Sequence, residues 1–261
     1  MNKPIRVVLV LLGASFLVLS LGFFFQAAWA APFWPLPSGR LSNYFVSSIL
    51  AAIGVPIIWI GLADERRSMA GGALNLLVTS AGFSVSLLTF YGQARQQTLL
   101  VFGLLSALAA IACIGLILYS QRKPFVNTHP LPGLIRASFL GFAVVLLATA
   151  IALLIQHPNT FPWPLSGGNS ILYGWIFLGA MCYFLYATLY PVWSNARGQL
   201  LGFLAYDLIL IGPFISYFRM VPPAMRSSLI IYTAVVTYSG LLAIYFLFVH
   251  PGTRFSLTRK S

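Results

Sequence analysis

The chain has 261 residues, of which 59% are hydrophobic and only 7% charged. A soluble domain carries about 25% charged residues, so most of this surface must face lipid rather than water. The formal net charge is +12, but the basic residues lie in short segments between apolar runs, as membrane-boundary charges do; this excludes a nucleic-acid partner.

A membrane-spanning helix needs about 20 mostly apolar residues. Eight runs qualify: 5–26, 44–62, 71–92, 99–120, 137–156, 171–190, 200–218 and 229–249. The connections are short and leave no room for a soluble domain. Lys3 and Arg6 flank the start of the first run, and Ala28-Trp29-Ala30 has the look of a signal-peptidase site. Its apolar part, 7–25, is longer than a signal core. It also precedes a Trp-Pro loop just as the run ending at Gln156 does. Retention of the first helix is therefore expected.

That loop occurs twice. Pro32-Phe33-Trp34-Pro35-Leu36-Pro37-Ser38-Gly39 returns as Phe161-Pro162-Trp163-Pro164-Leu165-Ser166-Gly167, and the two tryptophans are 129 residues apart. The spacing predicts an all-α bundle made of two four-helix repeats, residues 1–120 and 137–261. They are joined by a linker, 121–136, rich in Pro124, Pro130, Pro132 and Gly133. Four is an even number, so both units enter the membrane the same way, related by a pseudo-two-fold axis along the membrane normal. With the N-terminus in the cytoplasm, 11 of the 15 basic residues fall inside and 4, Arg40, Arg95, Arg219 and Arg226, fall outside. The positive-inside rule then puts both termini in the cytoplasm and both Trp-Pro loops outside. Short loops and a strong charge bias fit a bacterial plasma membrane.

Tryptophan favours the membrane interface, and proline stiffens a turn. The loops therefore read as rigid interfacial anchors, or else as lids folded inward over a vestibule. Trp34, Trp163 and the neighbouring Arg40 are the outer-loop candidates, with Arg40 able to meet an anionic group. The lone charges of Asp64, Glu65, Arg66 and Arg67 form what reads as a solvated cytoplasmic cluster.

In the third run, Asn75, Thr79, Gly82, Ser86, Thr89 and Gln93 recur at helical steps and share one face. Such a stripe should point into the bundle. It serves either as a packing seam or as a polar lining for a solute, with Asn75, Thr79 and Ser86 as ligand candidates.

Asp207 is the one acidic residue inside an apolar run. A charge there is costly, so it should be paired, protonated or turned inward. A pair with Arg197, a structural hydrogen bond and a proton- or ligand-binding role all fit. A helix beginning near Gln199 places Asp207 about 12 Å along its axis. The segment Ala73-Leu74-Asn75-Leu76-Leu77 loosely matches Ala205-Tyr206-Asp207-Leu208-Ile209, which would make Asn75 and Asp207 repeat equivalents.

Pro56 and Gly212-Pro213 are expected to kink or unwind their helices. Gly198 and Gly202 form a GxxxG pattern suited to close packing. Cys113 and Cys182 lie in apolar runs without metal or redox spacing and read as small buried hydrophobes. His129, His157 and His250 fall in separate boundary segments, and no HExxH, GxSxG or Walker pattern occurs. Three acidic residues cannot build a two-metal centre, so neither a metal nor a cofactor is expected.

The duplicated Trp-Pro-Leu loop and the helix pattern resemble those of uncharacterised bacterial polytopic membrane proteins. The resemblance implies a membrane bundle and no particular activity. Small-molecule binding or transport at the interface of two repeats is the first functional expectation. A non-catalytic membrane subunit with a membrane-protein partner is the second, and a membrane-embedded enzyme the third.

Overall fold

The computed structural model describes residues 3–255. Among these, eight helices are long and apolar enough to cross a membrane. They are α1 (Lys3–Phe24), α2 (Arg40–Ala63), α3 (Met69–Ala94), α4 (Gln97–Gln121), α5 (Gly133–Leu154), α6 (Gly167–Leu189), α7 (Trp193–Tyr217) and α8 (Arg226–Ile244). A π-helical turn, Tyr245–Val249, extends α8. Among the described residues the β structure is a single isolated bridge, Pro130 with Val192. The all-α membrane bundle expected from the apolar runs is what forms.

Several helices start earlier than their apolar runs. The largest difference is at α7, which begins at Trp193 rather than near Leu200. Ser194, Asn195, Arg197 and Gln199 make this turn polar, so hydropathy alone reads it as loop. Trp193, Ala196 and Leu200 nonetheless share one helical face and are buried with Ile135 and Phe139 of α5. Burial of that face holds the turn helical. At α6, Ser166 caps the first turn by accepting from the Asn169 amide at 3.3 Å. Pro56 and Pro213 lie inside continuous α2 and α7; neither unwinds its helix.

Consecutive helices pair as hairpins: α1 with α2, α3 with α4, α5 with α6 and α7 with α8. The hairpins then join through α3 against α6 and α2 against α7. The loops α1–α2, α3–α4, α5–α6 and α7–α8 share one face of the bundle, the Trp-Pro face. The loop α2–α3, the linker α4–α5 and the loop α6–α7 share the other, the linker face.

Small residues set the close contacts, as expected where lipid gives no hydrophobic force between helices. In α1 and α2, a Cβ on Gly54 would lie 2.8 Å from the Gly13 carbonyl. Ser20 and Ser47 exchange hydroxyl-to-carbonyl bonds of 2.8 Å each. Along α3–α6, a Cβ on Gly179 would lie 2.6 Å from the Asn75 carbonyl, and Gly82 lies under the Trp175 ring. Along α2–α7, a Cβ on Gly202 would come within 3.0 Å of the Ala52 carbonyl, and Gly198 faces Trp59.

Candidate functional site

The Trp-Pro loops fold inward. Trp163 and Phe161 are buried and Trp34 half-buried, while Trp29 and Phe33 stay exposed. Each loop tryptophan reaches the other half of the chain. The Trp34 indole donates to Asn169 Oδ1 at 2.9 Å, in the first turn of α6. The Trp163 indole donates to Ser42 Oγ at 3.1 Å, in the first turn of α2. Asn169 also donates to the Pro37 carbonyl at 2.7 Å. The loops are therefore clasps between the halves. Arg40 takes no part in them: it is exposed, donates to the Tyr44 hydroxyl at 3.0 Å and lies over that ring.

Below the second clasp lies an aromatic cluster. Phe45 is fully buried, with ring centroids 5.2 Å from Phe161 and 4.4 Å from Tyr173. Phe161 and Pro162 form the roof of a cavity of about 350 Å³, within the range of small-molecule sites. Most of its wall comes from α5–α8, and α2 and α3 close its back. Phe177 and Ala180 of α6 and Phe203 of α7 line its middle. From α8, Ser228, Ile231, Tyr232, Val235, Val236 and Ser239 contribute one unbroken helical stripe. That stripe makes the cavity about 16 Å long, at 1.5 Å per helical residue.

Among the described residues no charged side chain lines the cavity. Its polar points are few. Midway, the Tyr206 and Tyr232 hydroxyls bond to each other. At the end nearer the linker face stand Asn75, Thr79 and Gln199. Gln199 donates to the Tyr183 carbonyl at 2.8 Å. Its Oε1 is buried and has no partner among the described residues. A buried, unanswered acceptor costs about 1–3 kcal/mol.

The polar stripe of α3 divides. Ser86 accepts from the Trp175 indole at 3.0 Å and belongs to the α3–α6 seam. Asn75 and Thr79 border both the seam and the cavity. Thr89 bonds back to its own helix and, with Gln93, is exposed. The inward face thus covers only the first part of the stripe.

Asp207 is 5% exposed and lies beside α8, where Ser239 Oγ approaches its two carboxyl oxygens at 2.9 and 3.1 Å. Gly240 makes room for it: a Cβ there would lie 3.3 Å from Oδ2. Ser239 stands between the carboxyl and the cavity. Because α7 begins at Trp193, Asp207 lies about 21 Å from the start of its helix, not about 12 Å. Of the readings open for Asp207, the structural hydrogen bond is seen, to Ser239, and among the described residues no pair with Arg197 forms. Arg197 is two to three turns away and donates to the Thr253 carbonyl at 3.3 Å. Asn75 faces α6 while Asp207 faces α8, so the two are not equivalents.

Glu65 was missed by sequence reasoning. Among charged neighbours it reads as solvated, yet it is only 5% exposed. Ser194 Oγ donates to Glu65 Oε1 at 3.0 Å, and the Asn127 amide donates to Ser194 Oγ at 3.1 Å. The Leu131 amide donates to the Pro191 carbonyl and the Trp193 amide to the His129 carbonyl. Glu65 thereby ties three segments of the linker face together. Burial pushes its carboxyl above the ordinary value of 4.5, against the pull of its bonds to Ser194 and the Val126 backbone. Asp64 and Arg66 form the more exposed ion pair, at 2.8 Å. Arg67 is half-buried over Phe125 and Tyr190.

Among the described residues no three His, Cys, Asp or Glu side chains gather into a metal-binding group. The fold and cavity define a polytopic integral membrane protein with an uncharged intramembrane chamber. Comparison with protein-family models, with curated proteins and with solved structures finds no match for this chain in any of the three.

Proposed function

We propose that the protein binds a small, neutral, largely apolar molecule inside the membrane. The observation that carries this reading is the cavity itself: about 350 Å³, roofed by the second Trp-Pro loop, uncharged, with the polar side chains of Asn75, Thr79 and Gln199 at one end. Binding is favoured over transport between two repeats, because most of the wall belongs to α5–α8 rather than to an axis between the halves. Of the ligand candidates, Asn75 and Thr79 border the cavity, Asp207 is held one residue behind it through Ser239, and Ser86 serves packing.

The chain is further proposed to be a duplicated four-helix unit. Exchanging α1–α4 with α5–α8 turns the seam α3–α6 into α7–α2. The close approach of Gly179 to Asn75 then corresponds to that of Ala52 to Gly202, both pairs shifted by 127 residues. The reciprocal tryptophan clasps support the same relation. Basic-residue bias supports a cytoplasmic linker face in a bacterial plasma membrane. A reporter fused after Ser261 should then read as cytoplasmic, and an extracytoplasmic signal would reverse the assignment.

Purification in native-lipid particles, followed by mass spectrometry of bound molecules, tests the binding reading. Wild type should retain a neutral compound that the cavity-filling variant Ala180→Phe loses while remaining folded. Identical small-molecule content in both proteins would refute it.

A further inference from the structure

The cavity has a side opening. The helices α5 and α8 both line it but do not pack along each other. They are pinned near two ends. Toward the linker face, Ser138 and Tyr238 hydroxyls bond at 2.7 Å, and the Phe142 and Tyr238 rings lie 5.8 Å apart. At the Trp-Pro face, Ser228 Oγ donates to the Asn159 carbonyl at 2.5 Å. Between these pins, Val145 of α5 and Ile231 of α8 line the cavity and yet are 45% and 62% exposed on the bundle's outer surface. In a membrane that surface meets acyl chains. The slot is about 15 Å long from Ser228 to Tyr238.

We infer that the occupant is a neutral, single-chain lipid with one terminal hydrogen-bond donor, entering sideways from the bilayer between α5 and α8. This rests on the binding reading above. Four features point to it. The chamber runs parallel to the helices, as a chain does. Where Val145 and Ile231 line it and are exposed, the wall adjoins the lipid-facing surface between α5 and α8. Its wall carries no charge, so a phosphate or carboxylate head would enter without a partner, at a prohibitive desolvation cost. At the linker-face end Asn75, Thr79 and Gln199 gather uncharged hydrogen-bonding side chains, which suit a head group such as a hydroxyl. Long-chain alcohols meet all four conditions.

The test uses the full chain in phosphatidylcholine vesicles with a photoactivatable diazirine derivative of hexadecanol. Cross-linked residues are mapped by mass spectrometry. Leu104, Leu108 and Ile111 of α4, all strongly exposed, report ordinary lipid contact. Labelling of Phe177, Ala180 and Val236 should saturate and be displaced by unlabelled hexadecanol, whereas α4 labelling should not. The pair Val145→Trp and Ile231→Trp replaces surface residues and should spare the fold. It should lower wall labelling at least tenfold at short times and leave α4 labelling unchanged. Undiminished wall labelling in that variant would overturn lateral entry. Equal saturable labelling by the corresponding hexadecyl phosphate probe would overturn neutrality. Gln199→Leu should erase the preference for hexadecanol over hexadecane, a ratio independent of how much protein folds. A retained preference would overturn the role given to Gln199. If neither probe labels the wall while Ala180→Phe still displaces a native compound, the lipid assignment fails and the binding reading stands.

Discussion

Two faces of one helix, α6, behave in opposite ways. Its α3 face packs tightly: Gly179 lies against the Asn75 backbone, and Trp175 covers Gly82 and bonds to Ser86. The adjacent face, carrying Ile176, Ala180 and Phe184, opens on the cavity. Gly179 and Ala180 are neighbours in sequence, so composition does not separate the two environments. What separates them is the helix opposite. Against α3 the partners are small or are a single indole lying flat over a glycine. Against α7 and α8 they are bulky rings, Phe203, Tyr206 and Tyr232, which hold the hairpins apart instead of filling the space.

Substitutions at the two neighbours should break this symmetry most sharply. Gly179→Val pushes a branched side chain into backbone and should cost about 3 kcal/mol, the upper end of overpacking, read as a large fall in melting temperature. Ala180→Phe adds more volume one residue later and should leave stability unchanged or raise it by about 1 kcal/mol, as cavity filling does. A comparable loss in both variants would show that the cavity face is packed like the seam.

The two clasps offer a smaller contrast. Trp163→Phe leaves the buried Ser42 hydroxyl without its donor and should cost about 1–2 kcal/mol. Trp34→Phe should cost less, because Trp34 is only half-buried and Asn169 keeps its bond to Pro37. Thermal unfolding of the two variants side by side decides the order.

Glu65 contributes through pH. Its carboxyl titrates higher in the folded protein than its ordinary 4.5, so the folded state holds the proton more tightly. Stability should be greatest below about 4.5 and fall as pH rises through the window between the unfolded and folded values. Glu65→Gln should remove that fall from a melting-temperature profile. An unaltered profile would place the titration elsewhere. Asp207→Asn should have the smallest effect, within about 0.5 kcal/mol, because an amide oxygen still accepts from Ser239. Loss of ligand binding in Asp207→Asn, with stability kept, would instead give the carboxylate a functional role.

The helices were legible because a membrane demands about 20 apolar residues in a row, a local requirement. The start of α7 was not, since Ser194-Asn195-Ala196-Arg197 is polar in sequence and buried only through contacts with α5 and the linker. Glu65 failed for the same reason: its partner Ser194 is 129 residues away. The third-helix stripe correctly marked an inward face, but the division between seam and cavity depends on Trp175 and Gly179 of α6, invisible from α3 alone. The Trp-Pro loops were found by their repetition, and their crossing bonds were not, because nothing local marks Ser42 or Asn169 as acceptors. A cavity is what remains after side chains pack, so no residue pattern announces it.

The most direct measurement is an experimental density map of wild-type protein crystallised from a lipidic mesophase. An elongated feature is expected between α5 and α8, beneath Phe161, with one end against Asn75, Thr79 and Gln199. A map in which α8 closes against α5 and the chamber is filled by side chains would contradict it.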